Sequence, residues 1–175
     1  MTQFSGAVEA GLLGGLRVLL DLLDSAAAHA EQQGVDVGEL LQAQLYPDMF
    51  PFWRQLHSAA NVSRRCVDRL TGKELDDAGR PDVTIDALRA HLQQTIAYVK
   101  AADGAAIDAT ESAELSAKLA RQAVTLTGRT YVSNFALPNF LFHVVTAYNI
   151  LRHEGVALGK HGYLRPFVEQ GATSA

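Results

Sequence analysis

Four stretches of the chain repeat their apolar residues at steps of three and four, and this periodicity constrains the fold more than any other feature. In the first stretch the apolar positions are Val8, Leu12, Leu16, Leu19, Leu23, Ala26 and Ala30. Such steps place side chains along one side of an α-helix. Amphipathic helices of this length bury their apolar sides against each other, so the pattern predicts an all-α protein, an antiparallel four-helix bundle.

Capping and turn residues mark where these helices begin and end. Ser5 and Thr84 are expected to be N-caps, because their hydroxyl groups can accept a hydrogen bond from the first helical turn. Gly155 is expected to end the last helix in a left-handed conformation. The four helices are predicted at about 5–32, 49–70, 85–103 and 138–154, with a short helical turn at 38–44 after the first.

Between the third and fourth helices the composition changes to Thr, Val, Tyr and Phe, with alternation in places. This composition is typical of strands, so a short β-hairpin centred near Gly128 is expected between 109 and 137. The stretch 113–123 is also compatible with a helix. No linker or repeat divides the chain, and we expect one domain over 1–167, followed by a flexible tail at 168–175.

Charge and cysteine content argue against several classes of function. The net charge is −4, and the densest basic cluster, at 64–69, also contains an aspartate, so no nucleic-acid partner is expected. Charged residues interrupt the apolar N-terminal stretch, which predicts neither a signal peptide nor a membrane-spanning segment. Cys66 is the only cysteine, so no internal disulfide can form, and a cytoplasmic location is expected.

The last long helix carries a polar seam on an apolar body. Its members, at helical spacing, are Asn139, His143, Thr146 and His153. A buried imidazole without a partner costs on the order of 1–3 kcal/mol. We therefore expect His143 either to bond a group of the second helix or to face a water-filled crevice. His91, beside the apolar stripe of the third helix, is expected to be partly exposed.

A metal site is the competing interpretation of these histidines. Zinc needs three or four N, O or S ligands close to one point, and a chelating pair on one helix needs a spacing of four. The residue four positions after His143 is Ala147, so no metal is expected. If a divalent metal were bound, its ligands would be His57, His143 and His161. The chain has neither a serine-nucleophile motif nor a phosphate-binding glycine loop.

Three stretches of the sequence, LYPDMFPFWRQ, FALPNFLFHVVTAYNILRHEGV and GKHGYL, resemble a bacterial and fungal family known as a domain of unknown function. Its long motifs, PDMFP and PNFxFHxxTAYxILRHxGVxxGK, are both present. The resemblance extends over nearly the whole chain and implies the DinB-like, also called DinB/YfiT-like, four-helix fold. It also implies a homodimer, since dimers are common in that superfamily.

Some members of that superfamily bind a divalent metal through one histidine of the second helix and a His-x-x-x-His pair near the end of the bundle. Others look like thiol-dependent transferases. This chain keeps His143 but has Ala147 at the second position of the pair. On the second helix the candidate is His57, and the register leaves Gln55 as the alternative.

The resemblance supplies a fold but no reaction. We expect a cytoplasmic homodimeric bundle of unknown function with a small-molecule pocket between the second and fourth helices. The residues expected to line it are Trp53, His57, Asn139, His143 and Thr146. The alternative is a DinB-like enzyme, a transferase or hydrolase dependent on a metal or a thiol, that uses His57 and His143. Whether the protein is an enzyme stays open at this point.

Overall fold

The structure is a computed structural model that describes residues 3–119 and 122–171. Its long helices are α1 (Phe4–Gln33), α3 (Phe52–Thr71), α4 (Ile85–Lys100) and α7 (Leu137–His153). Its short helices are α2 (Val37–Gln42), α5 (Gly104–Ala109), α6 (Gly128–Tyr131) and α8 (Lys160–Gly171), and its strands are β1 (Glu114–Leu119) and β2 (Gln122–Thr127). A π-helical turn, Val132–Ala136, joins α6 to α7. The predicted helical bundle is confirmed, and its four predicted helices are α1, α3, α4 and α7.

The long helices pack so that α1 and α3 each contact both α4 and α7. Their apolar stripes meet in one core, in which Leu16, Leu56, Leu92 and Phe140 are completely buried. Gly15 lets α1 approach this core closely, because a Cβ atom there would lie 2.4 Å from Cε1 of Phe140. The bundle thus fixes the position of α7 relative to α3. This arrangement brings His143 of the polar seam into contact with α3, the second predicted helix.

The structure confirms two of the predicted helix ends and corrects a third. Thr84 caps α4, since its Oγ1 accepts a hydrogen bond from the backbone N–H of Ala87 at 3.2 Å. Gly155 has a φ of 87° after the end of α7, as predicted. Ser5 is not an N-cap, because α1 begins at Phe4. The backbone N–H of Ser5 instead donates to Oδ1 of Asp108 at 2.7 Å.

A β-hairpin precedes α7, but its centre was predicted wrongly. The strands pair antiparallel, from Glu114 opposite Thr127 to Leu119 opposite Gln122, and the two residues between them lie outside the described part of the chain. The helical alternative for 113–123 is therefore wrong. Gly128 begins α6, where a Cβ atom would lie 2.3 Å from the carbonyl oxygen of Thr110. This glycine permits a close backbone approach, and a turn centre and a close approach look alike in the sequence.

Residues 168–171, predicted as part of a flexible tail, belong to α8, and residues 172–175 lie outside the described part. Helix α8 packs against α1, where the ring of Phe167 lies so close to Gly14 that a Cβ atom there would be 2.3 Å away. This packing against α1 stabilises the C-terminal helix. Among the described helices, none has the length and apolar character needed to cross a membrane.

Candidate functional site

His143 reaches from α7 to α3 and bonds Gln55. The distance between Nδ1 of His143 and Oε1 of Gln55 is 2.8 Å. The amide nitrogen of Gln55 donates to the backbone carbonyl of Phe50 at 3.0 Å, in the loop that precedes α3. Gln55 is 2% exposed, whereas His143 is half-buried, and burial lowers the pKa of His143. The expected bond between His143 and the second predicted helix is therefore present, and its partner is Gln55.

His57 lies in a different cluster, between α3 and α4. Its Nδ1 is 3.2 Å from Nε2 of His91, and its Nε2 is 3.1 Å from Nδ2 of Asn61. Burial lowers the pKa of His91 to about 4, with help from His57 and Arg64. The prediction that His91 is partly exposed was wrong, because its ring is 7% exposed against His57. The sequence could not show this partner, which comes from another helix.

The two clusters form on opposite sides of α3. Residues two positions apart on an α-helix point in directions roughly 200° apart, so Gln55 and His57 cannot both face α7. Gln55 contacts α7 and His57 contacts α4. The structure thus gives His57 and His143 separate partners, which resolves the register that the sequence left open in favour of Gln55.

The remaining predicted site residues divide in the same way. Trp53 is 7% exposed and carries the guanidinium of Arg80 at 4.9 Å from its ring, on the side of the α3–α4 loop. Asn139 is half-buried on α7. Thr146 is buried, and its hydroxyl donates to the carbonyl of Phe142 within the same helix at 2.6 Å. The residues predicted to line the pocket, Trp53, His57, Asn139, His143 and Thr146, line none of five cavities among the described residues.

An exposed aromatic side chain stands beside the Gln55–His143 bond. On α7, the ring of Phe142 is 58% exposed and stands edge-on to the imidazole of His143, with 5.7 Å between the ring centres. On the loop before α3, Tyr46 is 66% exposed and Phe50 39% exposed, and the guanidinium of Arg54 lies over the Phe50 ring, 3.7 Å from its centre. The sequence analysis missed these three aromatic residues. Their signal was that two of them stand in the PDMFP and PNFxFH motifs, although helical periodicity alone assigns no role to them.

A third polar cluster joins α3, α4 and the loop between them. Asp68 is completely buried, accepts a hydrogen bond from the hydroxyl of Tyr98, and accepts another from the backbone N–H of Asp76 at 3.0 Å. The hydrogen bond to Asp68 raises the pKa of Tyr98 to about 12. Arg64 lies over the Tyr98 ring at 4.3 Å and pairs with Asp76 at 3.4 Å. These polar groups bond one another across α3, α4 and the loop between them. We therefore assign a structural role to this cluster, which holds the loop in place.

The residues at the α3–α7 crossing do not fit the metal site implied by the resemblance. A metal needs at least three ligands around one point. Gln55 uses its amide in two hydrogen bonds, and Ala147 presents a fully buried methyl group. His143 alone offers a nitrogen. His161 is exposed on α8, and within the described residues no three His, Cys, Asp or Glu side chains are grouped closely enough to hold a metal ion.

Comparison with known proteins places this fold in a family. The model of a domain of unknown function, DUF1993, matches residues 8–164. The chain belongs to the DUF1993 family. A crystal structure of a DinB family member from Shewanella denitrificans is similar, with 31% sequence identity and a TM-score of 0.79 over 98% of this chain and 96% of that chain. No curated protein matches. The DUF1993 chain is therefore related to the DinB-like superfamily, as its motifs predicted.

Proposed function

We propose that this DUF1993 protein binds a small molecule, without a metal or other cofactor, at the crossing of α3 and α7. The observation that carries this proposal is the half-buried His143, held by Gln55 at Nδ1 and flanked by an exposed aromatic side chain. Ligand sites combine an apolar lining with a few oriented polar groups. The imidazole of His143 is such a group, and Phe142 supplies the apolar part.

The proposed site lies on the bundle surface, at the edge of the α3–α7 crossing, rather than in a pocket between the two helices. The side chains between α3 and α7 fill that space, since Phe52, Leu56, Phe140 and Val144 have no exposed surface. A ligand would therefore lie over His143 at the edge of the crossing. It would gain by covering the apolar ring of Phe142, which is 58% exposed in the free protein.

A fragment screen by ligand-observed NMR tests this proposal. We expect most fragments that bind the intact chain to lose binding in His143→Ala. The matched control is His153→Ala, on the same helix but exposed at its end, which should keep them. Retention of the same fragments by both variants would refute a site at His143.

We further propose that the protein is a homodimer and that a strip along α7 and α8 forms its interface. The strip consists of Val145, Leu164 and Val168, which are 40%, 41% and 67% exposed. Val145 and Leu164 of this strip also line a groove between the two helices, together with Tyr148 and Tyr163. Protruding side chains and a groove on one face suit a two-fold contact, in which each copy offers both. Charges of both signs border the strip: Arg165, which pairs with Asp21 of α1 at 2.9 Å, and Glu169.

Sedimentation equilibrium tests the dimer. Val168→Asp should shift the protein towards monomer, because it places a charge in an apolar contact. Val35→Asp, the same change at an exposed valine between α1 and α2, should leave the association constant unchanged. A monomeric parent protein, or equal behaviour of both variants, would contradict the proposed interface. We also propose a cytoplasmic location, because the sequence has a single cysteine, Cys66, and can form no internal disulfide.

The second candidate is a DinB-like enzyme that uses a small thiol, favoured by the DinB family relative. His57 is bonded to His91 and Asn61, so His143 is the group left to accept a thiol proton, giving an imidazolium and a thiolate. Turnover of thiol and electrophile pairs that His143→Ala does not change would rule out this role.

A further inference from the structure

Gln55 can be oriented in only one way. The carbonyl oxygen of Phe50 accepts hydrogen bonds and cannot donate them, so the group 3.0 Å from it must be the amide NH₂ of Gln55. The side-chain oxygen of Gln55 therefore points at His143, 2.8 Å from Nδ1. Gln55 is 2% exposed, so turning the amide over would leave buried polar atoms facing each other without a shared hydrogen.

This orientation determines which nitrogen of His143 carries the proton. The oxygen of Gln55 is an acceptor, so Nδ1 of His143 must donate. A neutral imidazole has one N–H group, and Nε2 then bears a lone pair. Burial lowers the pKa of His143, which favours the neutral form near neutral pH.

The lone pair on Nε2 is available to a ligand. Within residues 3–119 and 122–171, no group forms a hydrogen bond with Nε2 of His143, and this atom is not among the buried side-chain atoms that lack a partner. Those atoms are Asn61 Oδ1, Arg64 Nε and Gln170 Nε2. Nε2 therefore has contact with solvent, beside the exposed ring of Phe142.

We propose that the site selects neutral ligands that carry an O–H or N–H donor on an apolar body, and that Gln55 is the positioning residue that keeps Nε2 of His143 an acceptor. This inference rests on the proposed function. A carboxylate would bring lone pairs against a lone pair and is disfavoured. A purely apolar molecule would cover Phe142 but leave Nε2 without water or a donor.

Three small probes of similar size test the selectivity: phenol, which donates, toluene, which does not, and benzoate, which only accepts. Binding to the full-length protein, labelled with ¹⁵N-histidine, is followed by the side-chain ¹⁵N shifts of His143, which also report its tautomer. We expect an unprotonated Nε2 in the free protein. Phenol should bind about fivefold more tightly than toluene or benzoate, as one neutral hydrogen bond would give.

Gln55→Glu provides a reversal that a structural role would not produce. When the introduced carboxyl group is ionised, it favours the doubly protonated imidazole, so Nε2 becomes a donor and the preference should pass from phenol to benzoate. When it is protonated, it donates to the Phe50 carbonyl as the amide does, and the preference should stay with phenol. Gln94→Glu adds the same charge on the exposed face of α4 and should leave the preference unchanged. Gln55→Met removes the acceptor without adding a carboxyl group, and a mixture of both His143 tautomers is expected.

The outcomes separate this inference from the proposed function. If the neutral imidazole of His143 in the parent protein carries its proton on Nε2, or if benzoate binds at His143 as tightly as phenol, the proposed selectivity is overturned while the site remains. An unprotonated Nε2 with no probe affecting His143 up to the solubility limit overturns the proposed function. A preference for phenol that Gln55→Met leaves unchanged, with Nε2 of His143 still wholly unprotonated, overturns the positioning role of Gln55.

Discussion

Acidification should destabilise the bundle through His91. Burial lowers the pKa of this imidazole from 6.5 to about 4, so between these values the unfolded chain binds a proton that the folded chain does not. Stability is therefore complete above about pH 6.5 and falls as the pH drops towards 4. At about 1.4 kcal/mol for each tenfold difference in proton affinity, the loss is at most roughly 3 kcal/mol. His91 is 7% exposed, so solvent screening reduces this figure only modestly, to about 2–3 kcal/mol.

Urea unfolding at about pH 7 and pH 4 measures this loss when the parent protein is compared with His91→Gln, whose side chain stays polar but does not titrate. The carboxylates and the histidines that do not contact His91 are present in both chains, so their contributions cancel, and the difference reports His91 together with its partner His57. We expect the fall in unfolding free energy to be about 2–3 kcal/mol smaller in His91→Gln. His153→Gln, at an exposed site, should behave like the parent. Equal pH dependence of the parent and His91→Gln would refute the reasoning.

Two further substitutions test the packing of α1 and the polar cluster of α3. Gly15→Ala should lower the unfolding free energy by about 1–2 kcal/mol, because the new methyl group meets the fully buried Phe140 and this overpacking costs more than the gain in helix propensity. In Gly11→Ala the methyl group meets only the end of a leucine side chain at 3.1 Å, so this variant should be neutral or slightly stabilising; equal effects of the two substitutions on thermal unfolding would contradict this. Tyr98→Phe should cost about 2–3 kcal/mol in urea unfolding, since it removes the hydroxyl donor to the buried carboxylate of Asp68, and a change below about 0.5 kcal/mol would be inconsistent with that bond.

Local periodicity predicted the long helices because each stripe is continuous within one helix and needs no knowledge of its partner. The same holds for the N-cap Thr84, because its hydrogen-bond partner is only three residues further along the chain. The roles of Gly128 and Ser5 were predicted wrongly because they depend on contacts with Thr110 and Asp108, which are distant from them in the sequence. The sequence offers no local sign of such partners.

The candidate site was predictable in part for the same reason. The polar seam of α7 identified His143 and its need for a partner, since both follow from one helix and from the cost of burying an imidazole. The choice between Gln55 and His57 depends on how α3 is rotated against α7, and an error of two residues turns the helix to its opposite side. The pairing of His57 with His91 depends on α4 in addition.

The most direct test of the account is a pair of double-mutant cycles on His143, with unfolding free energy as the measurement. Replacing Gln55 and His143 by leucine, singly and together, should give a coupling energy of about 1 kcal/mol, because the two side chains share a hydrogen bond across α3 and α7. The cycle between His57 and His143 should be additive within about 0.5 kcal/mol, because each has other partners. Coupling between His57 and His143, with none between Gln55 and His143, would contradict the arrangement on which the proposed site depends.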